Sequence, residues 1–101
     1  MFLGVTAYQN NRVLTASPWE LVDMLYSAAI ARIDEGKLQR AKQIVEQGLY
    51  AGLNPDVPLA KDYAKVYDVV LEYLDYRETA PVARKMLQEL QEGWRGIKDK
   101  N

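Results

Sequence analysis

Four stretches of this chain repeat apolar side chains at helical spacing, and helix breakers separate them. That alternation limits the fold more than any other feature. The first stretch opens on Leu14-Thr15-Ala16-Ser17-Pro18-Trp19-Glu20. Ser17 is a strong N-cap, because its hydroxyl accepts a hydrogen bond from an otherwise orphan backbone N–H. Pro18 fills the first helical position, where its missing N–H costs nothing. Glu20 follows Ser17 at the spacing of a capping box, and its charge suits the positive end of the helix. Leu21, Val22, Leu25, Ala28, Ala29 and Ile33 then form one broad apolar face, and Asp34-Glu35-Gly36 ends the helix.

The remaining stretches read in the same way. Leu38, Ala41, Ile44, Val45, Gly48 and Leu49 predict a helix over 37–51. Gly48 costs it about 1 kcal/mol relative to alanine, which close packing against a neighbour, or the start of fraying, explains. Gly52 is a natural stop, and Pro55 and Pro58 make 53–58 a loop. Leu59, Tyr63, Val66, Tyr67, Val70, Leu71 and Leu74 give the cleanest period and a helix over 59–75. Thr79 is the expected N-cap of a last helix running to Ile97, with Val82, Met86, Leu87, Leu90, Trp94 and Ile97 inward. Short connections imply antiparallel neighbours, so the expected fold is all-α, an up-down-up-down four-helix bundle. It occupies one domain over 1–101, with an arm at 1–16, the bundle at 17–97 and a polar tail at 98–101.

Composition removes most chemistry. The chain has 101 residues, enough for one core. It contains no cysteine and no histidine. Disulfides, thiolate nucleophiles and Ser-His pairs are therefore out of reach, as is the commonest metal ligand. Net charge is −1, so no basic excess invites nucleic acid or anionic lipid. No stretch approaches a membrane span, and the N-terminus lacks the pattern of a secretory signal. The expected compartment is the cytoplasm.

Asp68 and Glu72 stand one turn apart, but the Glu-x-x-His pairs of di-metal bundles are missing. No metal, cofactor or catalytic residue is expected, and Asp23 reads as an exposed side chain. Seven tyrosines are many for this length. Tyr26, Tyr63, Tyr67 and Trp94 fall on inward faces. Tyr50, Tyr73 and Tyr76 fall nearer helix ends, where tyrosine also serves as a binding anchor. Trp19 fits either an exposed anchor at the bundle end or a packing cover over the arm.

Tyr8-Gln9-Asn10-Asn11-Arg12-Val13-Leu14-Thr15-Ala16-Ser17-Pro18, followed by Glu20-Leu21-Val22 and Met24-Leu25-Tyr26, resembles the N-terminal signature of FliS-type flagellin export chaperones. Val66-Tyr67-Asp68 is similar to that family's third-helix pattern, and Leu90 through Trp94 to its last-helix ending. The first two helices and the last hairpin look shorter than the family's. Trimming both hairpins at one end would shorten the bundle coherently.

The resemblance implies a cytoplasmic helical bundle that holds the disordered C-terminal segment of flagellin in an apolar groove. Such a chaperone blocks premature assembly and aids delivery to the flagellar type III export gate. It implies arm contacts through Val5 and Tyr8. Thr15, Ser17, Pro18, Glu20, Leu21, Met24, Leu25 and Tyr26 match the rest of the signature, in roles that are mainly helix initiation and packing. The trimmed helices leave a second reading, a related adaptor or regulatory protein with a non-flagellin partner.

Overall fold

A computed structural model describes residues 18–100 of the chain. Among them are four helices and no strand. Helix α1 spans Pro18–Asp34. Helix α2 spans Leu38–Ile44 and continues directly as a π-helical stretch, Val45–Tyr50. Helix α3 spans Ala60–Tyr73 and α4 spans Ala80–Lys100, past the Ile97 expected from sequence. The connections behave as the breakers require. Gly36 takes φ +77, the left-handed conformation that glycine adopts without steric cost. Its N–H bonds the Ile33 carbonyl, and the Lys37 N–H bonds that of Arg32, a Schellman pair that closes α1. Gly52, the other expected stop, keeps an ordinary φ.

The helices form a ring of antiparallel neighbours. Helix α1 packs on α4 and on α2 with its π-helical continuation, and α3 packs on that continuation and on α4. The core runs up the middle: Leu25, Tyr26, Ala29 and Ile33 of α1, Ala41, Val45 and Leu49, then Tyr67, Val70 and Leu74, and Ala80, Ala83 and Leu87. Fully burying a side chain of leucine size stabilises by about 1.5–3 kcal/mol. The expected close approach at Gly48 is present. A methyl there would lie 2.8 Å from Leu25 Cδ2.

Two expected inward positions on α4 face out. Val82 is 44% exposed and Ile97 38%. The buried line is Ala80, Ala83, Leu87 and Gln91, with Trp94 half-buried. Small Ala80 and Ala83 let α4 approach its neighbours, which turns the larger Val82 outward. Leu59, expected on the α3 face, is 54% exposed because it precedes the first helical residue. Thr79 sits where expected but works in the other direction. Its hydroxyl donates to the carbonyl of Tyr73 at 2.6 Å, satisfying the end of α3 rather than the start of α4.

Helix α4 is registered on α1 by polar contacts. Asp23 is half-buried, not exposed as expected. It accepts two bonds from Arg95, at 2.6 and 3.1 Å. The buried Gln91 amide donates to Ser27 Oγ at 2.7 Å and to the Asp23 carbonyl at 3.2 Å. Nearer the other end, Arg84 makes a two-pronged pair with Asp34, and that guanidinium holds the Asp34 carboxyl below the usual carboxylate range. Lys42 of α2 pairs with Asp75, just past α3. Exposed pairs of this kind contribute little energy. They specify which residues face each other.

Candidate functional site

In an up-down-up-down bundle the start of α1, the end of the second helix, the start of α3 and the end of α4 meet at one end. Here they enclose an apolar cavity of about 380 Å³. Val22 and Tyr26 contribute from α1, and Gly48 and Leu49 from the π-helical stretch. Leu53, Val57 and Leu59 come from the loop, Ala60, Tyr63 and Tyr67 from α3, and Trp94 and Ile97 from α4. Val57, Leu59 and Ile97 are also among the exposed large apolar residues, so the apolar lining reaches the surface. This is the end at which residues 1–17 join α1.

Local structure shapes this end of the bundle. The second helix unwinds into π geometry, and the Ala51 N–H reaches back to the Glu46 carbonyl, five residues earlier. The π-helical stretch brings Gly48 against Leu25, whose side chain occupies the place a methyl at 48 would take. The Asp56 N–H bonds the Asn54 side-chain oxygen, and the Val57 N–H bonds the Asn54 carbonyl, which folds the loop compactly.

The buried polar element of this lining is a pair of phenols; Tyr63 and Asn54 also border it. Tyr26 and Tyr67 are 1% and 3% exposed, and their hydroxyls are 2.6 Å apart. Burial pushes both phenols above the ordinary tyrosine range. The bond between them adds to the rise at Tyr26 and opposes it at Tyr67. Tyr63 and Tyr50 flank the pair, with ring centroids 6.1 and 6.3 Å from that of Tyr67. Trp19 closes the end of the bundle. Its ring lies 4.1 Å from that of Trp94, and its carbonyl accepts the Trp94 indole N–H at 3.1 Å. The Trp19 ring is thus held against α4, tying the first turn of α1 to the C-terminal part of α4.

Of the residues singled out in the sequence, Leu25 and Tyr26 lie in the core. Leu21 packs against it, Met24 is half-buried, and Glu20 is exposed. Val5, Tyr8, Thr15 and Ser17 lie outside the described residues, as does the proposed cap; Pro18 opens α1. Leu53 and Val57 were not legible as site residues, because nothing in a loop sequence marks which side chains border a void; Leu59 and Ala60 fall in the stretch read as helix, where period marks the buried face but not a cavity. Among the described residues no group of three or more acidic side chains is placed to hold a metal ion, and no helix is long and apolar enough to cross a membrane.

No curated protein and no solved structure matches the chain. The sequence model of the flagellar protein FliS does, over residues 4–101. With that match spanning nearly its whole length, an all-helical body and an apolar cavity, the chain belongs to the FliS family of flagellar proteins, which are export chaperones and not enzymes.

Proposed function

We propose that this chain is a cytoplasmic chaperone that holds the disordered C-terminal segment of flagellin, keeps it from polymerising early and hands it to the flagellar type III export gate. The observation that carries this reading is the apolar cavity, with Val57, Leu59 and Ile97 exposed beside it. A disordered segment loses about 1–2 kcal/mol of backbone entropy for each residue it orders. Each large apolar side chain it buries returns about 1.5–3 kcal/mol. Binding therefore needs anchors spaced along the segment with pockets to receive them, and no bond is made or broken. The arm at 1–16 precedes the bundle at the cavity end, and Val5 and Tyr8 are its contacts to client or gate.

Titration with a flagellin C-terminal peptide, followed by circular dichroism, tests the reading. A saturable gain in helicity is expected, and no binding at micromolar concentrations would end it. Tyr8→Ala should weaken client or gate binding while leaving the melting temperature nearly unchanged. Unfolding of that variant would place Tyr8 in the core instead. The shortness of α2, seven residues before the π-helical stretch, favours a second reading as an adaptor. Recovery of a non-flagellin partner alone from native cytosol would select it.

A further inference from the structure

The lining is largely apolar, and its buried polar groups are the hydroxyls of Tyr26 and Tyr67; half-buried Tyr63 and exposed Asn54 also border it. Each phenol carries one O–H donor and each oxygen can also accept. The two hydroxyls share one bond, so whichever donates, the other keeps its hydrogen. Among the described residues neither hydroxyl has another partner. Both residues line the cavity and both are buried. A buried donor is costly to leave unpaired, and a water that serves it in the open cavity is expelled when an apolar side chain enters.

We propose that the Tyr26–Tyr67 pair is a specificity element of the cavity, donating its spare hydroxyl hydrogen to a carbonyl oxygen of the segment that fills it. The inference rests on the chaperone reading for the identity of the segment, but not for the chemistry. The preferred occupant carries an apolar side chain with a free carbonyl beside it. Such a carbonyl occurs where the segment leaves a helix, or on an asparagine or glutamine. A segment that is apolar and fully self-bonded seats less well, because it strands the donor. Sites built around a hydrogen bond discriminate more sharply than purely apolar ones for this reason.

The test uses the full chain and two kinds of probe. One is a matched pair of small ligands, a naphthyl methyl ketone and the isopropenylnaphthalene of the same shape, titrated by fluorescence or calorimetry. The other is the flagellin C-terminal peptide. The unmodified chain should prefer the ketone to the hydrocarbon by roughly five- to tenfold, the range of one neutral hydrogen bond. The double variant Tyr26→Phe/Tyr67→Phe removes both hydroxyls together and leaves none unpaired, so it should fold. It should lose the ketone preference and bind the peptide roughly five- to tenfold more weakly.

Equal affinity of the unmodified chain for ketone and hydrocarbon, or binding of neither, overturns the proposal whatever the variant does. So does a double variant that keeps the preference. If the ketone preference is present but the flagellin peptide does not bind, the pair is a donor as inferred and the flagellin reading is what fails.

Discussion

Adding one methyl group at position 48 tests how the second helix meets the first. In Gly48→Ala the new carbon would stand 2.8 Å from Leu25 Cδ2 and 3.3 Å from Cδ1. Comfortable carbon–carbon contact begins at about 3.5 Å, so the nearer atom is overlapped and Leu25 must move. Leu25 belongs to the core cluster, and the methyl enters only if the end of its side chain turns aside. Forcing a core side chain off its rotamer costs about 0.5–1.5 kcal/mol, and overpacking as a whole about 1–3 kcal/mol. The gain from replacing glycine by alanine within a helix is at most about 1 kcal/mol. The expected net effect is a loss of about 1 kcal/mol, or roughly 4–8 °C in melting temperature for a domain of this size.

The control lies in the same molecule. Gly93 and Gly96 also sit inside a helix, but no described atom would come within 4 Å of a methyl at either. Gly93→Ala and Gly96→Ala should each stabilise by up to about 1 kcal/mol, so the sign reverses between the π-helical stretch and α4. Urea unfolding monitored by circular dichroism reads all three. Truncation of the obstructing side chain completes the argument. Leu25→Ala alone should cost about 2–5 kcal/mol, and on that background Gly48→Ala should become neutral or favourable, a coupling of about 1 kcal/mol or more. Stabilisation by Gly48→Ala alone, or strict additivity with Leu25→Ala, would refute the close approach.

Other expectations concern polar groups. The buried phenols keep their protons in the folded state beyond pH 10.0, the ordinary tyrosine value, whereas unfolded tyrosines lose theirs there. Their contribution is intact below that pH and is lost as pH rises above it. Denaturation midpoints should fall accordingly, and less steeply in Tyr26→Phe/Tyr67→Phe. Gln91→Ala should cost about 1–3 kcal/mol in thermal unfolding by removing the bonds to Asp23 and Ser27. Gln91→Glu should cost more at neutral pH, where it sets a second carboxylate against Asp23, and should recover as the pH is lowered. Ser17→Ala should lower stability by about 1 kcal/mol through loss of the cap and leave client affinity unchanged.

The four helices were legible because each buries a stripe at helical period and each stripe ends at a breaker that acts locally. Gly36 closes α1 by its own backbone freedom, whatever lies around it. The face of α4 was harder to read. Hydrophobicity points to Val82 and Ile97, but tight packing selects Ala80 and Ala83, and Gln91 can be buried because Ser27 and Asp23 accept from it. The π-helical stretch leaves no mark in composition, since one extra residue per turn changes the bonding and not the residue types. Tyr26 and Tyr67 were legible as inward residues. Their mutual bond was not, because it joins positions far apart in the chain, and the cavity they line is a gap between four elements.

The central claim is that the apolar end of the bundle receives the client, and two exposed substitutions test it without touching the core. Leu59 lines the cavity and Val82 does not, yet both are exposed enough to replace without unfolding the chain. Isothermal titration of a flagellin C-terminal peptide into Leu59→Arg should show at least a tenfold loss of affinity, because the new charge must be desolvated at the site. Val82→Arg should bind as the unmodified chain does. Unchanged binding by a folded Leu59→Arg, or equal losses in both variants, would contradict the account.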